Sequence, residues 1–380
     1  MIERANLHAA LGDFVIYRNL EPADERLRGL TEIWQQIGLS SYRIPRKLES
    51  DYATAVVHFL DQAQALRLPN RPLKRLLYIG DTVMNDGTAI ANLGQHRPIL
   101  GVICTERPGE AKKVKANQGI MTANHWGALR DFVAFVAEEG FPFDEEMAAI
   151  IDLDKTAMGA QGRNHRAIDA ARVEAVRRTM AEVLGSQFDM KGFRTIYDEL
   201  NQPPYHPFTA DNQDYLAYIC LMVGAGVYDY ETLLADLAAG RLSTFAQFIE
   251  VCAERLPDRA SSELLPVHQE VYANFQRGDP TPFKSFRYRE YEETIARMDS
   301  LPTETDPGKL LAEEIVITRE VVDLARFLQE RGVLLFGLSD KPDEASIPRA
   351  ELSREGYAPI HRTRMKVVGE AIYEELGALT

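Results

Sequence analysis

Three cysteines in 380 residues, Cys104, Cys220 and Cys252, are too few and too scattered for a disulfide framework. No CxxC spacing occurs that would suggest a thiolate zinc site. Long apolar runs are missing too. The longest uncharged one, Leu216 to Tyr228, is bounded by Asp214 and Asp229 and falls short of the ~20 residues that span a bilayer. Charge arrives at once with Glu3 and Arg4, so no apolar leader is read and a cytoplasmic protein is expected. Positive charge is in deficit: 43 Lys and Arg face 57 Asp and Glu, a formal net charge of −14. That balance argues against broad binding to nucleic acid or to an anionic membrane. It leaves small anionic substrates open, because a bound divalent cation reverses the field around itself.

Several chemistries lack their signatures. The chain has no HExxH, no GxSxG and no P-loop, and its eight histidines show no ligand spacing. Gly224-Ala225-Gly226 lies in a helix-like apolar stretch with no strand before it, a poor dinucleotide loop. The charged run Glu110 to Lys115 reads as a solvated helix face. Phe283, Phe286, Tyr288 and Tyr291 read as core of a helical region, not as a base-stacking platform.

What is present is ordinary globular material, 45% apolar and 26% charged. At this length a single core is unusual, so two domains or a core with a large insertion are expected. The region to about residue 75 reads as helices, with Val56, Phe59, Leu60 and Ala63 sharing one helical face. Leu76–Ile79, Pro98–Cys104 and Met147–Ile151 are short continuous apolar runs, as strands buried on both faces would be. Helical patterns around Leu129, Phe132, Val133 and Val136 alternate with them, which predicts an α/β core on a parallel sheet. From about 166 to 312 the pattern is all helical, and α/β grammar resumes with a helix at Val321–Leu328 and a strand at Val333–Phe336. The expected organisation is a discontinuous core, 1–165 and 313–380, interrupted by a helical domain at 166–312.

In open parallel sheets, sites form beyond the carboxyl ends of the strands. Three strand ends here are unusually polar: Gly80-Asp81 through Asp86, Asp152-Leu153-Asp154-Lys155-Thr156, and Leu338-Ser339-Asp340. Acids gathered this closely repel unless a cation neutralises them. Oxygen donors with no His or Cys nearby point to a hard ion, Mg²⁺ where phosphate is handled. A carboxylate at a buried strand end can also attack phosphorus, and a second acid two residues on can move the proton.

At these residues the chain resembles the haloacid dehalogenase (HAD) superfamily of phosphatases and phosphotransferases. Asp152, Asp154 and Thr156 match its first motif, DxDxT. Gly80, Asp81 and Asp86 match its fourth, GDxxxxD, and Ser339 matches its second. Lys47, ahead of the helix around Val56, matches its third; Lys341 and Lys366 compete for that role, Lys366 as the start of a terminal helix over Val367–Leu376. The order third, fourth, first, second departs from the family's and looks like a circular permutation, tolerable where chain ends lie close together.

The resemblance implies a HAD-like Rossmannoid three-layer core with an all-helical C1-type cap between the first and second motifs. It implies Asp152 as nucleophile and Asp154 as general acid and base. It also implies Mg²⁺ held by Asp81, Asp86, Asp152 and Asp154, and phosphate bound by Ser339 and neutralised by Lys47. Thr156 and Arg163 are further candidates for meeting the substrate. The expected activity is Mg²⁺-dependent hydrolysis of a small phosphorylated metabolite, with no nucleic-acid or membrane partner. Phosphoryl transfer to another acceptor, a mutase, and a non-catalytic phosphometabolite-binding module are the alternatives, and the sequence leaves the oligomeric state open.

Overall fold

The computed structural model describes residues 2–256 and 263–378. Its strands, in chain order, are β1 (Arg4–Ala5), β2 (Val15–Ile16), β3 (Arg75–Gly80), β4 (Ile99–Cys104), β5 (Val114–Asn117), β6 (Ile120–Ala123), β7 (Met147–Asp152), β8 (Ile317–Thr318), β9 (Leu334–Leu338) and β10 (Met365–Val368). Seven form one sheet in the order β2-β9-β7-β3-β4-β6-β5. Every neighbouring pair in it is parallel except β5 with β6. The protein is therefore α/β, with a Rossmann-like, mostly parallel core.

The apolar runs become central strands because both of their faces are covered. Leu76 and Tyr78 of β3, Ala148 and Ile150 of β7, and Leu334 and Phe336 of β9 share a core with Val56, Phe59, Leu60 and Ala63 of helix Ser50–Arg67. Leu77, Ile79, Ala149 and Ile151 alternate to the opposite face and are equally buried. Helices Leu129–Glu138 and Arg319–Glu330 contact β4 and β9.

Two compact units divide the chain. One comprises Met1–Asp169, Thr294–Ile347 and Leu352–Thr380; the other, Ala170–Glu293 and Pro348–Glu351. The second unit is helical, built on a core that includes Tyr218, Phe245, Phe248 and Phe286. Residues 294–312, expected in the helical insertion, group instead with the sheet-bearing unit. Asp299 is one tie to that unit: it pairs with Arg4 and with Lys366 of the small sheet β1-β10-β8. Among the described residues no helix is long and apolar enough to cross a membrane.

Three local expectations are corrected. Residues 111–113 form no helix and Val114–Asn117 is an exposed edge strand, turned back onto β6 by Gln118 and Gly119 at φ 49° and 78°. Two residues at positive φ are what a tight hairpin turn needs, and the Lys-rich composition concealed it. The terminal segment likewise holds strand β10 and only a short helix, Tyr373–Gly377, so Lys366 opens no helix. Finally, the N-terminal region carries two brief strands, β1 and β2, besides its helices.

Candidate active site

The register of the sheet assembles the polar strand ends. Asp152 is the last residue of β7 and lies level with Leu338 of β9, while Ile151 is level with Ile79 of β3. Asp81, Leu153 and Ser339 are thus the first residues past three adjacent strands, whose spacing is about 4.8 Å. Chain order is irrelevant to this assembly. Lys47, 105 residues earlier in sequence, sits in the turn before helix Ser50–Arg67 and reaches the same edge. Its ammonium donates to Asp152 Oδ1 at 2.7 Å and pairs with Asp86 Oδ1 at 2.5 Å, all three side chains being buried.

Asp86 is fully engaged. Its Oδ2 accepts from the backbone N–H groups of Asp81 and Thr82 and from the Thr82 hydroxyl; its Oδ1 takes Lys47 and the Tyr78 hydroxyl. Gly80 makes this possible, since a Cβ there would stand 2.5 Å from Asp86 Cγ. Burial disfavours the charge on Asp86, but Lys47 and these hydrogen bonds overcome it and keep its carboxyl below the usual range. Asp86 departs from the expected ligand role: it braces Lys47 and closes the turn.

Its neighbours are less well compensated. Burial raises Asp152 to about 7, against the pull of Lys47 and with a further push from Asp86. One ammonium cannot neutralise two carboxylates fully. Lys47 itself is held protonated well above the usual lysine range: burial opposes its charge, but Asp152, Tyr78 and Asp86 outweigh burial. Asp81 goes to about 9, through burial and then repulsion from Asp152 and Asp86. No hydrogen bond reaches its carboxylate among the described residues.

Beyond Asp152 the chain turns tightly. Ala157 and Met158 donate back to the carbonyls of Asp152 and Leu153, and Lys155 takes a left-handed φ of 65°. Two buried oxygens in this turn, Asp154 Oδ1 and Thr156 Oγ1, have no hydrogen-bond partner among the described residues. Such atoms are costly unless something outside the chain satisfies them. Ser339 is buried beside the turn; its N–H donates to Ile16 and its hydroxyl accepts from the Lys341 N–H at 3.2 Å.

The remaining candidates lie elsewhere. Arg163 is engaged through all three guanidinium nitrogens, donating twice to Glu106 and twice to Glu320. Lys366 is buried against Glu314 at 2.8 Å, with Asp299 and the Leu301 carbonyl beside it. Of the three competing lysines, Lys47 is the one paired with Asp152. Tyr78, whose hydroxyl steadies Asp86, escaped sequence reading because it looked like one more apolar strand residue.

Among the described residues no group of three or more His, Cys, Asp or Glu side chains stands ready-made to hold a metal ion. Lys47 draws Asp86 and Asp152 together instead. The donor chemistry nevertheless suits a hard cation, because the unpartnered Asp81 carboxylate and the orphaned Asp154 Oδ1 are open oxygens in a buried, mutually repelling cluster. No protein-family model matches the chain, and neither the curated proteins nor the solved structures hold a match to it.

Proposed function

We propose that the protein is a HAD-like phosphohydrolase that needs Mg²⁺, acts on a small phosphorylated metabolite and works through an aspartyl-phosphate on Asp152. The observation that carries this reading is the ion triad Asp86–Lys47–Asp152 at the sheet edge, with the unpartnered carboxylate oxygens of Asp81 and Asp154 in the turns that follow β3 and β7.

In this reading Lys47 holds Oδ1 of Asp152 and leaves Oδ2 to attack phosphorus. The new Oδ2–P bond forms as the P–O bond to the leaving alcohol breaks, and Asp154 gives that oxygen its proton. Asp154 then takes a proton from water, whose oxygen attacks the same phosphorus and frees the Asp152 carboxylate. Lys47 favours the ionised form of Asp152 against a burial that favours its acid form. The Ser339 hydroxyl, whose oxygen accepts from the Lys341 N–H, would donate to the transferring phosphoryl group, and Thr156 Oγ1, in the turn after Asp152, is a second hydroxyl with no partner among the described residues. Asp81 and Asp152 would hold Mg²⁺ with the Asp154 main-chain carbonyl. Its chemistry there is to neutralise charge on phosphate oxygens and make them electrophilic. The helical unit fills, in the chain, the position of a substrate-selecting cap between Asp152 and Ser339.

Hydrolysis of an aryl phosphate with Mg²⁺, comparing the wild type with Asp152→Asn, tests the reading. Loss of at least 10³-fold in kcat is expected. Turnover that survives the substitution rules the mechanism out.

A further inference from the structure

Sheet register carries the site one strand further than its carboxylates. β2 pairs in parallel with β9, Ile16 level with Leu338, and the Ser339 N–H donates to the Ile16 carbonyl, so Tyr17 and Arg18, just past the end of β2, run beside the loop that follows β9. The Arg18 N–H donates to the Lys341 carbonyl, which ties this edge to the loop after Ser339. The Arg18 side chain is only 10% exposed and pairs with Asp340 through Nη1 alone. Among the described residues its Nε and Nη2 make no hydrogen bond, in contrast to Arg163, all three of whose guanidinium nitrogens donate. Tyr52, buried in the first turn of helix Ser50–Arg67, feels the charges of Lys47, Asp340, Asp152 and Arg18 together, so all four surround one region. Arg18 forms no ion pair with Asp152 or Asp81, and the charge of Lys47 is already spent on Asp152 and Asp86.

We propose that Arg18 anchors a second anionic group of the substrate, a carboxylate or a second phosphate, on the β2 side of the phosphoryl group attacked by Asp152. This rests on the phosphohydrolase reading and adds a substrate class to it. Arg18 follows β2, and β2 lies two strands from β7, which ends in Asp152, roughly 10 Å of sheet. That separation suits a group other than the one being transferred. A guanidinium presents a planar fork that binds carboxylate or phosphate with two N–H donors. Asp340 occupies one nitrogen and fixes the plane, leaving the others to meet a ligand. With most of its surface out of water, the cation gains more from a second anion than an exposed arginine would.

Equilibrium binding on an Asp152→Asn background, with Mg²⁺ and without turnover, tests the proposal on two matched probe pairs. These are 3-phosphoglycerate against glycerol 3-phosphate, and fructose 1,6-bisphosphate against fructose 6-phosphate. In at least one pair the probe with the extra anionic group should bind tenfold or more tightly, and the pair that shows it identifies carboxylate or phosphate as the anchor. Adding Arg18→Gln should bring that ratio to within about threefold, and Arg18→Lys, which keeps the charge but loses the fork, should lower it at least threefold. Ratios near one in both pairs, a preference that survives Arg18→Gln, or no binding of any probe overturns the proposal. Aryl phosphate turnover by the wild type judges the phosphohydrolase reading separately: a preference without turnover sinks that reading alone, and turnover without a preference sinks only the role of Arg18.

Discussion

Replacing Asp152 with asparagine should stabilise the metal-free protein at pH 8, although it removes an ion pair. Lys47 lies 2.5 Å from Asp86 and 2.7 Å from Asp152, with all three buried. With Asp81 holding its proton, the cluster carries one positive and two negative charges whenever Asp152 is ionised. Asparagine leaves one of each, keeps an acceptor for the Lys47 ammonium and relieves the repulsion that raises Asp81. Trading one buried charge for a neutral group of the same shape is expected to gain about 1–3 kcal/mol.

The pH dependence has a definite sign. Asp152 is raised from 3.8 to about 7 in the folded protein, so the fold binds this proton more firmly than the unfolded chain does. That contribution is complete below pH 3.8 and is lost as pH rises towards 7. The advantage of Asp152→Asn should therefore be small at pH 5, grow to pH 7 and level off above it. Lys47→Met should do the opposite at pH 8, costing about 3–5 kcal/mol, because it leaves Asp86 and Asp152 with no cation. Urea unfolding in chelator at pH 5, 6.5 and 8 measures both, provided the slope with denaturant is unchanged. An Asp152→Asn protein less stable than wild type by more than about 1 kcal/mol at pH 8 would show Asp152 to be a structural anchor and refute the reasoning.

Two further outcomes follow from the same electrostatics. Mg²⁺ should raise the thermal midpoint of the wild type, by an amount equivalent to about 2.7 kcal/mol at a hundredfold excess over its dissociation constant. Asp81→Asn should abolish most of that gain while stabilising the metal-free form; a gain that Asp81→Asn leaves intact places the ion elsewhere. Lys366→Met should cost about 3–5 kcal/mol by stranding the buried Glu314, read by urea unfolding. It should leave hydrolysis per folded molecule unchanged, and a selective loss of turnover would return Lys366 to the site.

How much of this could be read from the sequence depends on whether an interaction leaves a local trace. β3, β4 and β7 are legible because burial on both faces enforces unbroken apolar runs, and Asp81, Asp152 and Ser339 are legible because a polar residue ending such a run has few reasons to be there. The hairpin of β5 and β6 is hidden because β5 is an exposed edge strand at the end of a Lys-rich run and carries no periodicity, and Gln118-Gly119 was its one clue. The partnership of Lys47 is hidden for a different reason. Lys47, Lys341 and Lys366 are equivalent as residue types, and only a contact across 105 residues decides which of them Asp152 receives. Asp86 shows the converse: its place in GDxxxxD suggests a metal ligand, yet the N–H groups of Asp81 and Thr82 and the side chains around it consume both oxygens.

Two-residue β2 is below the length at which any pattern exists, so Arg18 is an anonymous arginine until the pairing of β2 with β9 brings it beside the loop after Ser339. Motif residues mark where phosphorus chemistry can occur, because that chemistry demands particular groups at particular strand ends. Substrate selection makes no such demand on local sequence. It can be met by any cation the sheet brings alongside, and the arginine that sequence singled out, Arg163, is spent on Glu106 and Glu320 while Arg18 keeps donors open.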